Sequence, residues 1–118
     1  MSNAIRLQMS PPRSPQIAIG QHLAIKMLDR MEEVDDDGLQ LADAAQLQDE
    51  YRNGLPYQNL AMEYLRRARA TGAEVEEGFM MILSDMAALN VAGFGVQADR
   101  YSSLMERGLI GQGVGVTP

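Results

Sequence analysis

Cysteine is absent from the 118 residues, which excludes disulfides and thiolate metal sites. Tryptophan is absent too, and aromatic residues amount to only 5%. The core must therefore be filled by aliphatic side chains and by nine methionines, whose flexible thioethers fit irregular gaps. His22 is the only histidine. It shares a helical face with Lys26, Asp29 and Glu33, without the positioned partner that general acid or base work requires. Positive charge is also scarce, with ten Lys and Arg against sixteen Asp and Glu, a formal net charge of -6 and a pI near 4.6. Phosphate affinity comes from clustered cations, so direct nucleic-acid binding is not expected. An acidic mimic of nucleic acid remains compatible with this balance. The N-terminal region has Arg6 and Arg13 but no continuous apolar run, so a secretory signal is not expected.

What is present is enough for one core. At 118 residues and 46% hydrophobic composition, the chain reads as a single globular domain. Residues 1–14, with Pro11 and Pro12, form an extended arm; residues 15–110 form a helical domain; residues 111–118 form a glycine and valine tail.

The organising stretch is residues 75–96. Between Glu77 and Asp99 its one formal charge is Asp85, and it contains both phenylalanines, Phe79 and Phe94. Val75, Phe79, Ile82, Met86, Leu89, Gly93 and Val96 recur at alternating four- and three-residue spacing, while Met80, Leu83, Ala87 and Phe94 widen the apolar surface. Ser84, Asp85, Ala88 and Ala92 form a narrow opposite strip of small or polar residues. Asp85, Asn90 and the glycines argue against a membrane span, because a central carboxylate alone costs about 2.5–3.5 kcal/mol there. A buried helix, bent at Gly93-Phe94-Gly95, is the expectation.

Helices should surround it. Ser14-Pro15 has the form of an N-cap followed by proline at the first helical position, opening a helix over residues 15–34 with Ile17, Gly20, Ala24, Met27, Met31 and Val34 inward. Asp35-Asp36-Asp37-Gly38 reads as its end and as the cap of a thin, alanine-rich helix over residues 39–52. Pro56 restarts the helical pattern, with Tyr57, Leu60, Ala61, Tyr64, Leu65 and Ala68 inward. Thr71-Gly72-Ala73-Glu74 has capping-box spacing for the central helix. A last helix should cover residues 96–107, with Gly108 as its stop. The fold class is therefore all-α, a bundle of four or five helices with a buried apolar fourth helix and extended tails.

Chemistry-bearing patterns fall short of their requirements. With Gly38 at the sixth position of a calcium loop, the ninth and twelfth positions fall on Leu41 and Ala44, so the bidentate carboxylate is missing. Gly93-Phe94-Gly95-Val96-Gln97-Ala98 has the letters of a dinucleotide-binding turn but no strand before it. Asp85 is the carboxylate to watch, because its surroundings are apolar. No catalytic residue, cofactor or metal ligand is assigned, and the chain is not expected to be an enzyme.

The expected function is that of a structural or assembly subunit, for example of a virion or secretion apparatus, located in the cytoplasm or in the assembled particle. Its partners would be other protein chains, in a homo-oligomer or a hetero-assembly. Ala88, Ala92, Gly93, Phe94, Val114 and Val116 are the candidate interaction residues. The alternatives are an acidic inhibitor, acting through the patch Glu32, Glu33, Asp35, Asp36 and Asp37, or a small helical chaperone.

Overall fold

The computed structural model describes residues 10–40, 55–91 and 96–109. They form an all-α bundle of four helices: α1 Pro15–Gln40, α2 Leu55–Thr71, α3 Ala73–Val91 and α4 Val96–Leu109. Most of the expected helix over residues 39–52 lies outside the described residues, as do most of the arm and all of the glycine and valine tail.

The N-cap of α1 forms as the sequence implies. Ser14 Oγ accepts from the Ile17 amide at 3.2 Å, and its carbonyl accepts from the Ala18 amide at 3.1 Å. The helix does not stop at Val34, however. It continues through Asp35-Asp36-Asp37-Gly38 to Gln40, so the acidic run is helical rather than a turn or a calcium-type loop. Local propensity disfavours this continuation. Tertiary contacts outweigh it, because Val34 packs on the core and Asp35 is held by both α2 and α4.

Ile17, Ala24, Met27, Leu28 and Met31 of α1 are buried against Tyr57, Ala61, Leu65 and Ala68 of α2 and Val75, Phe79, Ile82, Leu83 and Met86 of α3. Leu104, Met105 and Leu109 of α4 complete this core. The chain itself thus covers the inward side of α3 between Val75 and Ala87, while Ser84 and Ala88 remain exposed. No helix among the described residues is long and apolar enough to cross a membrane.

Two glycines set how closely α1 and α3 cross. A Cβ on Gly20 would lie 1.9 Å from the Val75 carbonyl oxygen, and one on Gly78 would lie 2.1 Å from the Ile17 carbonyl oxygen. The helices meet backbone to backbone, at a separation that admits no side chain on either residue. Gly108 has a similar role. It does not stop α4, which runs on to Leu109, and a Cβ there would meet Met31 Cε at 2.6 Å and the Tyr57 carbonyl at 2.9 Å.

The joint between α2 and α3 is a single residue, Gly72, with φ at +154°. Thr71 does not cap α3 as its spacing suggested. It belongs to the last turn of α2, where its hydroxyl donates to the Arg67 carbonyl at 2.7 Å. With one residue between the helices, Gly72 serves both: its amide donates to the Ala68 carbonyl at 3.3 Å and its carbonyl accepts from the Glu76 amide at 3.1 Å. Arg69 of α2 spans the joint to Glu76 of α3 at 3.1 Å.

Candidate functional site

The end of the arm lies on the α1–α3 crossing and is fixed by polar side chains. Ser10 donates twice to Asp85, from its amide to Oδ2 at 2.9 Å and from its hydroxyl to Oδ1 at 3.0 Å. Its carbonyl accepts from Gln21 Nε2 at 2.8 Å. Arg13 pairs with Glu77, and that hydrogen bond, then the carboxylate's charge, raises the already high pKa of the guanidinium. Glu77 and Asp85 are eight residues apart, two helical turns, with half-buried Met81 midway on the same stripe. Asp85 thus fastens the arm, with each carboxylate oxygen accepting one hydrogen bond from Ser10. Gln21, the one buried polar residue among the described residues at 7% exposure, satisfies its side-chain amide on the Ser10 carbonyl.

A second polar cluster closes the far end of α1. Tyr57 donates its hydroxyl to Asp35 Oδ1 at 2.8 Å, and Arg107 reaches the same oxygen at 3.4 Å. The Arg107 guanidinium also sits 5.5 Å from the centroid of the Tyr57 ring. Burial, and then the hydrogen bond to Asp35 and its charge, push the Tyr57 pKa up to about 12. One carboxylate thereby ties α1, α2 and α4 together. Among the described residues no buried side-chain polar atom lacks a hydrogen-bond partner.

The acidic patch inferred from sequence is divided by this arrangement. Asp35 turns inward to Tyr57, while Glu33 and Asp36 are exposed and Glu32 is half-buried. Glu33 pairs with Arg30 one turn back at 2.5 Å. Asp37 lies in α1, but its side chain falls outside the described residues. Of the candidate interaction residues, Ala88 is exposed on α3, whereas Ala92, Gly93, Phe94, Val114 and Val116 lie outside the described residues. His22 and Lys26 are exposed on α1.

A shallow cleft of about 240 Å³ lies along α2, lined by Met62, Leu65, Arg66 and Arg69. Arg69 is already engaged by Glu76. No group of three or more His, Asp or Glu side chains among the described residues is placed to hold a metal ion.

Sequence reasoning missed Ser10, Gln21, Tyr57 and Arg107 as polar fasteners. Gln21 had a readable signal, an amide beside the inward positions Gly20 and Ala24. Ser10 had none, since its partner is 75 residues away. Set against protein-family models, curated proteins and solved structures, the chain matches none of them significantly.

Proposed function

We propose that this chain is a non-enzymatic structural or assembly subunit of a larger complex, such as a virion or a secretion apparatus, acting through helix–helix and tail contacts. The observation that carries the reading is the open strip of α3. Ser84 and Ala88 are small and exposed on a helix whose Val75, Phe79, Ile82 and Met86 are buried. Small side chains permit another backbone to approach closely, and the Gly20–Gly78 crossing is the same kind of contact made within the chain. The use of Asp85, Gln21, Asp35 and Tyr57 as fasteners also supports a role in holding shape. The measurement that tests it is the native mass of the purified protein with limited proteolysis of its ends. The reading expects a homo-oligomer or a complex with another chain. A stable, dilute monomer of 13.0 kDa with protease-insensitive termini would contradict it.

A second reading is an acidic inhibitor of a basic partner. The exposed carboxylates of Glu33 and Asp36 favour it, on a stretch from Asp29 to Glu50 where nine carboxylates face only Arg30 until the chain reaches Arg52. Binding to such a partner would weaken steeply with salt; binding indifferent to salt would remove this reading.

A further inference from the structure

The structure assigns Met62 as a site of reversible oxidation by peroxide, with Arg66 as the residue that receives the new sulfoxide oxygen. With cysteine absent, the nine methionines carry all the sulfur of the chain, and with it the side chains most open to peroxide. The fold sorts those it describes by access to solvent. Met27, Met31, Met86 and Met105 are fully buried, each at 0% exposure, and Met80 and Met81 are half-buried. Met62 alone among the described methionines is exposed, at 40%. Met1 and Met9 lie outside the described residues.

The surroundings of Met62 suit its oxidised form. It lines the α2 cleft with Leu65, Arg66 and Arg69, and Arg66 follows it by one helical turn on the same face. Arg67 is paired with Glu63 and Arg69 with Glu76, whereas Arg66 has no ion pair among the described residues. Its guanidinium is a donor with no carboxylate to meet. A thioether sulfur accepts hydrogen bonds only weakly, while a sulfoxide presents a polar oxygen to them. Oxidation of Met62 therefore supplies an acceptor one turn from Arg66. The same change at Met27, Met31, Met86 or Met105 would put a polar oxygen into the apolar core.

In the step itself, a lone pair on the Met62 sulfur attacks one oxygen of hydrogen peroxide. The S–O bond forms as the O–O bond breaks, and the proton on the transferred oxygen passes to the departing one, which leaves as water. Sulfur is oxidised and peroxide is reduced by the same electron pair. The Arg66 cation meets the negative charge that develops on the departing oxygen, then donates to the sulfoxide. What changes is the cleft: a flexible apolar side chain becomes polar and anchored to Arg66, while the core is left as it was.

The test is graded hydrogen peroxide on the folded full-length chain, with the gain of one oxygen measured on each methionine peptide and far-UV circular dichroism on the intact protein. Met62 is expected to react at least about tenfold faster than Met27, Met31, Met86 and Met105, with helicity unchanged when its conversion is complete. Methionine sulfoxide reductases for both epimers, with a thiol reductant, should return it to methionine. Arg66→Gln should slow Met62 by about threefold, the size of an exposed charge interaction, and leave Met80 and Met81 unchanged. Arg66→Lys, which keeps the cation, should restore most of the rate. Reaction of Met62 no faster than the buried methionines, or a sulfoxide that the reductases leave in place, would overturn the site. An Arg66→Gln chain that matches the wild type in Met62 rate would overturn the role of Arg66.

Discussion

Gly20 and Gly78 are the residues on which the fold is least tolerant. Each faces a carbonyl oxygen at about 2 Å from where its Cβ would be, and backbone cannot retreat as a flexible side chain can. Gly20→Ala or Gly78→Ala should each lower stability by about 2–3 kcal/mol, read as a fall in the denaturant midpoint at constant slope. Gly108→Ala should cost less, because its nearest neighbour is the flexible end of the Met31 side chain and the backbone it meets, the Tyr57 carbonyl, is farther away at 2.9 Å. Tyr57 offers a residue-level test with a pH signature. Its pKa is raised from 10.0 to about 12, so the folded state holds its proton more tightly than the unfolded state. That contribution is fully present below pH 10 and is lost as pH rises through about 12. Tyr57→Phe should cost about 0.5–1.5 kcal/mol at neutral pH through loss of the Asp35 bond. It should also flatten the decline in stability between pH 10 and 12, measured by denaturation across that range. In the sequence, Gly20 read only as a small member of an apolar stripe and Gly78 as one letter of an apolar run. Their pairing depends on where α1 and α3 cross, which no local pattern encodes.

At the scale of elements, most of α1, α2 and α3 was legible because their apolar stripes are dense and regular. Ile17, Ala24, Met27 and Met31, then Tyr57, Ala61, Tyr64 and Leu65, then Val75, Phe79, Ile82 and Met86 are all buried as their spacing implies. The start of α1 was legible too, because capping is local chemistry. Ser14→Ala should lower stability by about 1 kcal/mol, with the loss of helicity concentrated in the first turn by hydrogen exchange. Ends governed by distant partners were not legible. Asp35-Asp36-Asp37-Gly38 carries a strong local stop signal, yet α1 passes through it because Tyr57 and Arg107, 22 and 72 residues away, hold Asp35. Gly108 failed as a stop for the same reason, since its lack of a side chain serves Met31, Tyr57 and Ala61 across the bundle. At Gly72 a single-residue joint replaced the capping box, because a shared residue leaves no room for a side-chain cap. The acidic patch was readable as composition but not as a surface, since helical geometry turns Asp35 inward and leaves Glu33 and Asp36 outward.

On the scale of the whole molecule, α3 is sheathed by α1, α2 and α4 on its Val75 to Ala87 side, and the arm is strapped over its crossing with α1. The apolar side chains at Val75, Phe79, Ile82, Leu83, Met86 and Ala87 are therefore absorbed within the chain, while the small residues Ser84 and Ala88 are left exposed. A subunit role places a neighbouring chain on that strip. The most direct measurement is native mass spectrometry of the wild-type chain and of Ala88→Arg, with far-UV circular dichroism to verify that both are folded. The account predicts that the wild type forms a complex heavier than 13.0 kDa and that Ala88→Arg shifts it toward the single-chain mass with helicity unchanged. A wild type and variant of identical mass at every concentration, both as monomers, would contradict it.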